Sequence, residues 1–345
     1  MSDLSSSSYF PNSSTTRRNG HGAVFATKGM YFPKFKKRIN ILLQHRDGPC
    51  LLIAIFNTLI LKGVVSIESG VYSASTIIDM IQNINLHVHG LKKVLNGYFV
   101  NPSFSSCCDF IDYPKFLSKL NIQLVHAMVP EKNHKHLELI KNYSYDTLQV
   151  RLITLINHDS MIKQSMSNGG AHKKSMNSTD DFYKNNLADE IKVLKTWNTR
   201  LNRQVTNFGI SEIEKQIQEG DAQIFFRNAH FACIYKHCGH VYSLITCKGL
   251  AAAHCAWHSL PNASGDFTYF DENFTQTVCN PWETALENIK TTKEDGSPER
   301  MKNDKKKKNK EGSKKNKKGK KNGDKKEKKK KTENSSSKKN DCLIA

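Results

Sequence analysis

Cys50 has the sequence surroundings of a nucleophilic thiol. It follows Gly48 and Pro49 and precedes a continuous apolar run. Asp47 is a favoured helix N-cap and Pro49 suits a first helical turn, so we predict a helix over residues 49–62. Unpaired backbone N–H groups and the helix dipole stabilise a thiolate there, and the thiolate is the attacking species of cysteine peptidases. The competing interpretation is a small buried residue at a helix start.

A nucleophilic cysteine needs a general base, and His230 is the candidate among the 14 histidines. It begins a predicted strand, residues 230–236, after an apolar strand and a short polar turn. A strand would hold the imidazole rigidly, facing the helix start that carries Cys50. Cysteine peptidases often draw these two residues from distant parts of the chain. A histidine that serves only the core or the surface is the alternative.

Gln44 is a candidate for an oxyanion hole. It lies six residues before Cys50, at the end of a predicted strand. From there its side-chain amide could donate a hydrogen bond to the oxyanion that forms when a thiolate attacks a carbonyl, with the Cys50 backbone N–H as the second donor. An ordinary turn glutamine is the competing interpretation.

A stretch rich in cysteine and histidine raises the alternative of a structural zinc site. Its eight residues are Cys233, His237, Cys238, His240, Cys247, His254, Cys255 and His258. No two of them form the Cys-x-x-Cys pair that is common in structural zinc sites. We therefore expect neither a metal nor another cofactor.

These candidate residues depend on a predicted mixture of helices and strands. Strands are predicted at residues 39–44, 122–126, 222–226, 230–236 and 241–246, and helices at 49–62, 75–84, 110–120 and 188–201. Ser211 and Glu214 form a capping box, which predicts a short helix ending at Gly220. The expected fold class is α+β, with a buried helix carrying Cys50 packed on a mainly antiparallel sheet carrying His230.

Composition divides the chain into three parts. Residues 1–30 are rich in serine and predict a disordered arm, and residues 31–285 predict a globular domain with a disordered insertion near 160–182. Residues 286–345 predict a disordered, lysine-rich tail. Of the formal net charge of +20, a large share lies in residues 301–345, which hold 20 lysines against six acidic residues. The basic pI therefore describes the tail rather than the fold.

The last four residues, Cys-Leu-Ile-Ala, match a C-a-a-X box and predict farnesylation of Cys342. One lipid holds a membrane only marginally, and the lysine run supplies a second signal of about 1 kcal/mol per lysine near an anionic leaflet. We therefore expect a cytoplasmic protein anchored to the cytosolic face of a membrane. The alternative is an RNA-binding arm, but the tail lacks the aromatic residues that stack on bases, so no nucleic-acid partner is expected.

The cysteine count and the N-terminal sequence also predict the compartment. The first 20 residues lack the apolar core of a signal peptide, and the longest apolar stretch, residues 50–61, is too short for a membrane span. Nine cysteines, an odd number, without a secretion signal predict reduced thiols in the cytosol. We expect a monomer.

Two distant segments resemble the catalytic segments of one enzyme family, the MINDY deubiquitinases. Residues 44–57, QHRDGPCLLIAIFN, resemble the family's catalytic-cysteine segment, and residues 225–231, FFRNAHF, its catalytic-histidine segment. Residues 257–260, 265–266 and 271–274 form a third similar block, and residues 97–102 a weaker one. The resemblance covers residues 39–280 discontinuously.

The resemblance implies a papain-like cysteine peptidase that cuts isopeptide bonds after ubiquitin. It implies that Cys50 is the nucleophile, His230 the general base and Gln44 the oxyanion donor. The ubiquitin-contacting aromatic residues would fall at Tyr98, Tyr113 and Phe226. The residue that orients His230 stays open among Asp266, Asp271 and Asn228.

This chain departs from the family pattern at Asp47, Leu51 and Ala229, where the family has Asn, Pro and Asn. None of these changes removes a catalytic group. The segment between the cysteine helix and Tyr98 is shorter than in the best-known members.

The expected function is hydrolysis of ubiquitin chains, of the lysine linkage that sends proteins to the proteasome, with ubiquitin or polyubiquitin as the partner. One alternative is a peptidase for a ubiquitin-like modifier, which the shortened segment before Tyr98 suggests. Another is a membrane-tethered ubiquitin-binding module without turnover.

Overall fold

A computed structural model describes residues 22–45, 48–168 and 178–279 of the chain. The strands are β1 (Val24–Phe32), β2 (Lys37–Leu42), β3 (Val71–Ser73), β4 (Asn101–Pro102), β5 (Phe110–Asp112), β6 (Leu124–Val125), β7 (Ala222–Arg227), β8 (His230–His237), β9 (His240–Leu244), β10 (Trp257–Ser259), β11 (Tyr269–Phe270) and β12 (Gln276–Thr277). The helices are α1 (Cys50–Lys62), α2 (Ala74–Ile84), α3 (Leu137–Ile140), α4 (Tyr145–Asn168), α5 (Ser178–Arg200) and α6 (Asn207–Gln216).

The strands form three sheets. The largest has seven strands in the order β12-β11-β10-β9-β8-β7-β6, antiparallel except for the parallel pair β6–β7. A three-stranded antiparallel sheet has the order β2-β1-β3, and β4 pairs with β5 alone. The fold class is α+β, as predicted.

Helix α1 is buried along nearly its whole length, since residues 51–61 are all inaccessible to solvent. Such a helix must be apolar all round, which is the pattern that the sequence shows. It ends at Gly63, whose φ of 80° is in the left-handed region that glycine adopts without strain. Pro49 occupies the N-cap position, so the prediction that Asp47 caps the helix is wrong in position; Asp47 itself lies outside the described residues.

Strand β1 corrects the predicted N-terminal boundary. Residues 24–30 belong to a nine-residue strand that pairs with β2 on one side and β3 on the other, and Phe25, Met30 and Phe32 are buried. The prediction of a disordered arm over residues 1–30 is therefore wrong for this part. The polar residues in the middle of the strand break the alternation of apolar side chains that marks strands in a sequence. Residues 1–21 lie outside the described residues.

Helices α4 and α5 correct the predicted insertion near 160–182. Residues 160–168 and 178–182 are helical, and residues 169–177 lie outside the described residues. Apolar residues occur on more than one face of α4, where Val150 and Ile153 are exposed, so no clean apolar stripe marks this helix in the sequence. Each helix is instead stabilised by burying one face against its neighbour. The residues of the two helices that form one buried cluster are Leu148, Leu152, Leu155, Ile191, Leu194 and Trp197.

Two other predicted helices differ in detail. Residues 110–120 form strand β5 and a 3-10 helix, Lys115–Leu120, separated by Tyr113 and Pro114. Helix α6 begins well before the predicted capping box, because the buried Thr206 side chain accepts a hydrogen bond of 2.9 Å from the Gly209 backbone N–H. This leaves Ser211 inside the helix. Predicted strands at residues 222–226, 230–236 and 241–246 are confirmed as β7, β8 and β9.

The described cysteines are not all reduced, in contrast to the prediction. Cys255 and Cys279 form a disulfide, which joins the start of β10 to the segment after β12. The free thiols of the described part are Cys50, Cys107, Cys108, Cys233, Cys238 and Cys247. In that part of the chain, none of the helices has the length and apolar character needed to cross a membrane. The predicted tail and Cys342 lie outside it.

Candidate active site

Cys50 is the first residue of α1 and is half-buried. Burial raises the pKa of its thiol above the ordinary value, since a thiolate loses hydration there. The backbone N–H groups of Phe231, Leu51 and Cys50 itself act in the opposite direction and lower the pKa. Phe231 directly follows His230, so the helix start meets the beginning of β8. The two segments predicted to carry the chemistry are thus brought together.

The imidazole of His230 does not face the thiol of Cys50. Phe226 pairs with Phe231 across β7 and β8, and both pack in the cluster around α1, whereas Arg227 pairs with His230. Since neighbouring residues of a strand face opposite sides of a sheet, the pleat directs His230 away from α1. Among the described residues no hydrogen bond joins His230 to Cys50. Burial lowers the pKa of His230, so both groups are neutral in this state.

A two-residue turn positions His230 on the sheet. Asn228 and Ala229 have φ angles of 50° and 57°, the backbone of a primed hairpin turn. The Asn228 backbone N–H donates to the Gln204 side chain at 2.7 Å, and the Arg227 Nε donates to the Arg203 carbonyl at 2.9 Å. The hairpin that carries the predicted base is therefore anchored to the segment that follows α5.

Gln44 is held firmly by its backbone and weakly by its side chain. Its N–H donates to Thr246 O at 2.7 Å, and its carbonyl accepts from the Lys248 N–H at 3.0 Å, so it forms a parallel bridge with Cys247. Within the described residues, the side-chain Nε2 donates to the Gly48 carbonyl alone, at 3.5 Å. The amide thus lies near Gly48, two residues before Cys50.

Asn57 fixes the cysteine helix to the strand that precedes Gln44. It is fully buried two turns along α1 from Cys50. Its Oδ1 accepts from the Leu42 N–H at 2.8 Å, and its Nδ2 donates to the Leu42 carbonyl at 3.0 Å. The side chain completes the edge of β2 as a neighbouring strand would. Asn57 is not among the residues predicted for the site, although a polar residue inside an otherwise apolar helix is a visible sequence signal.

Comparison with known proteins shows the family of this chain. The family model described as MINDY deubiquitinase matches residues 23–274. The chain belongs to the MINDY deubiquitinase family.

Similar proteins carry the same family name. Ubiquitin carboxyl-terminal hydrolase MINDY-1 of Danio rerio is 26% identical over 73% of this chain and 49% of its own length. MINDY-1 of Homo sapiens is 27% identical over 68% of this chain and 50% of its own length. MINDY-2 of Mus musculus is 26% identical over 68% of this chain and 39% of its own length. The chain spans about half the length of the curated relatives it matches.

In this MINDY family member, the two aspartates considered as partners of His230 form hydrogen bonds within their own loops. Asp271 Oδ1 accepts from the Asn273 and Thr275 N–H groups, both at 2.9 Å. Asp266 donates its N–H to Asn262 Oδ1 at 2.9 Å. Both interactions are local turns, and in the described part of the chain neither carboxylate reaches the imidazole.

His258 is a neighbour of His230 that sequence analysis did not assign to the site. His258 is buried on β10, and its Nδ1 lies 2.8 Å from the carbonyl oxygen of the next residue, Ser259. Burial, with a smaller effect of the Arg227 charge, lowers the pKa of His258 to about 4, although the hydrogen bond to the Ser259 carbonyl acts to raise it. A neutral histidine therefore lies on the side of the sheet toward which His230 is directed. The sequence signal that could have assigned His258 to the site is its position in the third block of the MINDY resemblance.

The three aromatic residues predicted to contact ubiquitin belong to the cluster around α1. Tyr98 and Tyr113 are half-buried, and Phe226 is 8% exposed with its ring 5.1 Å from that of Phe231. Burial and the charge of Asp112 raise the pKa of Tyr98. The described residues contain no group of three potential metal ligands.

Proposed function

We propose that this chain is a deubiquitinase that hydrolyses isopeptide bonds in ubiquitin chains by a Cys–His thiol mechanism. Membership of the MINDY family supports ubiquitin as the substrate. The observation that carries the proposal is the half-buried thiol at the N-terminus of α1, beside the backbone of the residue after His230. The lysine linkage that sends proteins to the proteasome is the proposed target, on the basis of the family resemblance.

The proposed mechanism begins from a neutral thiol and a neutral imidazole. Ubiquitin binding must turn His230 toward α1, where it takes the proton of Cys50 as the sulfur attacks the carbonyl of ubiquitin's C-terminal glycine. Gln44 Nε2 and the Cys50 N–H donate to the oxyanion. His230 then protonates the leaving lysine amine, and water hydrolyses the thioester. We propose a papain-like arrangement, in which α1 packs on the antiparallel strands β7 and β8.

Tetra-ubiquitin of the proteasome-targeting linkage tests the proposal. The full chain should cleave it, and Cys50→Ala should not, because only a thiol at this position supplies the nucleophile. Cys238→Ala, which removes an exposed thiol on the β8–β9 turn, is the matched control and should cleave normally. Cleavage by Cys50→Ala would refute the assignment.

The substrate surface is proposed to include Tyr98, Tyr113 and Phe226. Tyr98→Ala should raise KM for ubiquitin chains more than it lowers kcat, because it removes a contact made before the chemical step. An unchanged KM would remove Tyr98 from the surface.

A ubiquitin-binding module without turnover is the second candidate. The observation that favours it is the direction of His230, away from Cys50. Labelling with a ubiquitin that carries a C-terminal electrophile separates the two functions: covalent capture at Cys50 supports the enzyme, and tight binding without capture supports the module. The same probe built on ubiquitin-like modifiers tests whether one of them is the substrate.

We also propose that the protein acts as a monomer at the cytosolic face of a membrane. The lysine-rich composition of residues 301–345 supports attraction to anionic lipids. Farnesylation of Cys342 stays a prediction, and Cys342→Ser should move the protein from the membrane to the soluble fraction if it is correct.

A further inference from the structure

Two adjacent thiols lie side by side on the loop between β4 and β5. The Sγ atoms of Cys107 and Cys108 are 3.7 Å apart, within hydrogen-bonding distance. Cys107 is buried and Cys108 is half-buried. The side-chain Nε2 of Gln123 donates to the Cys108 sulfur at 3.1 Å. The pair therefore includes one accessible sulfur and a polar side chain aimed at it.

Hydrogen bonding makes the two thiols unequal. The hydrogen bond between the two sulfurs, in which either can donate, and the one from Gln123 lower the pKa of Cys108, against burial and the charge of Asp109. The hydrogen bond between the sulfurs, with burial, raises the pKa of Cys107. Gln123 thus donates to the more accessible of the two sulfurs, which favours the thiolate at Cys108.

Hydrogen bonds fix the backbone of the loop that carries the two thiols. The Cys107 carbonyl accepts from the His126 N–H at 2.8 Å, and the Cys108 N–H donates to Ser106 Oγ at 3.3 Å. The buried imidazole of His126 contacts the Asp109 carbonyl through Nε2, at 3.1 Å. Backbone contacts on both sides of the pair therefore fix the loop that carries the two thiols.

We propose that Cys107 and Cys108 form a peroxide-reactive dithiol, with Cys108 as the attacking thiol and Cys107 as the resolving one. The Cys108 thiolate attacks one oxygen of a hydroperoxide, the O–O bond breaks, and the product is a sulfenic acid with release of water or alcohol. The Cys107 thiol then attacks that sulfur, a second water leaves, and an S–S bond forms. Two thiols are oxidised and one peroxide is reduced.

The resulting disulfide is readily reversible. Adjacent residues joined by a trans peptide have Cα atoms about 3.8 Å apart, closer than the roughly 4.4–6.8 Å usual for disulfides. The bond is therefore strained, and strained disulfides are more easily reduced than structural ones. This distinguishes the dithiol from the Cys255–Cys279 pair, which is far apart in sequence.

Limited oxidation of the full chain tests the proposal. The reduced protein is treated with hydrogen peroxide, quenched by alkylation and mapped by mass spectrometry. The peptide that contains both thiols should lose two hydrogens before Cys50 and Cys233 react, because burial raises the pKa of both of these thiols. Mild reductant should restore it. Oxidation of the pair no faster than that of Cys233 would overturn the proposal.

Variants assign the two roles. Cys107→Ser, or Cys107→Ala if the serine disturbs the fold, should leave a sulfenic acid at Cys108 that dimedone traps. Cys108→Ser should leave Cys107 as a thiol, and its oxidation at the wild-type rate would overturn the roles. Gln123→Leu should slow oxidation about threefold to tenfold, since it removes a donor to the thiolate. An unchanged rate would exclude Gln123. None of these readouts depends on ubiquitin hydrolysis.

Discussion

At the scale of single residues, the site combines groups that favour and oppose a thiolate. The N-terminus of α1 and the Phe231 N–H stabilise negative charge on Cys50, whereas burial disfavours it, and burial has the larger effect. Burial also keeps His230 neutral. The resting site therefore lacks the thiolate–imidazolium pair, and the proposed chemistry depends on moving His230 when substrate binds.

Alkylation of Cys50 by a small neutral reagent should reflect this balance. The ordinary pKa of a cysteine thiol is about 9, and that of Cys50 is raised above it. The labelling rate should therefore still be rising with pH at about pH 9. Peptide mapping after timed labelling measures the rate at each pH. A plateau below about pH 8 that disappears in His230→Ala would show an ion pair in the free protein instead.

Gln44→Ala tests the oxyanion donor. Loss of one preorganised donor should cost about 2.7–4 kcal/mol in the barrier, or about 10²–10³-fold in kcat, with little change in KM. Steady-state cleavage of ubiquitin chains measures both constants. Gln149→Ala, on α4, should leave them unchanged. Equal rates for Gln44→Ala and the wild-type protein would remove Gln44 from the proposed mechanism.

At the scale of elements, two local features position the site. One is the pair of hydrogen bonds between Asn57 on α1 and Leu42 on β2, here called the Asn57 clamp, and the other is the Asn228–Ala229 turn between β7 and β8. The clamp fixes the helix that carries Cys50 relative to the strand that leads into Gln44. The turn places His230 at the start of β8. Each depends on one or two residues, so each predicts a measurable loss or gain of stability.

Asn57→Leu should lower the free energy of unfolding by about 2–4 kcal/mol, because it leaves the buried N–H and carbonyl of Leu42 without partners. Urea denaturation measures the change. Thr58→Val is the matched control: Thr58 Oγ1 makes longer contacts, 3.3 Å to Cys233 Sγ and 3.5 Å to Gln223 O, so its loss should cost about 1 kcal/mol. Equal costs would show that the clamp is not a special contact.

Ala229→Gly should raise stability by about 1 kcal/mol. Ala229 has a φ of 57°, which costs a residue with a Cβ about 1–2 kcal/mol, and glycine recovers this at the expense of a more flexible unfolded chain. Ala232→Gly, in the extended backbone of β8, should instead lower stability by about 0.5–1 kcal/mol. Thermal unfolding of both variants checks the opposite signs, and a loss in Ala229→Gly would contradict the strain.

At the scale of the whole molecule, the core encloses two histidines far apart in the chain. Burial lowers the pKa of His126 and of His258 to about 4. The unfolded chain binds protons at these positions near pH 6.5, whereas the folded chain binds them only near pH 4. Their contribution to stability is therefore present above about pH 6.5 and is lost as the pH falls through this window.

Stability should accordingly fall by about 3 kcal/mol for each of these two histidines between pH 7 and pH 4. Denaturant unfolding at several pH values measures the slope. His126→Gln should flatten the profile even though it is less stable at pH 7, whereas His87→Gln, at an exposed position, should leave it unchanged. A profile as steep as the wild type in His126→Gln would refute the account.

The sequence by itself determined the parts of this protein that depend on local chemistry. The Gly48-Pro49-Cys50 start and the apolar run predicted α1, and turn residues with apolar strands predicted β7, β8 and β9. The motifs around Cys50 and His230 also indicated the MINDY family. Strong patterns of this kind need no knowledge of distant neighbours.

Only the tertiary structure decided what depends on distant partners. Strand β1 exists because β2 and β3 supply its hydrogen bonds, and α4 and α5 exist because each buries apolar side chains of the other. The direction of His230 and the hydrogen bond from Gln123 to Cys108 are also tertiary. A local pattern specifies which groups need a partner, but packing decides which partner they receive, since that choice depends on the whole core.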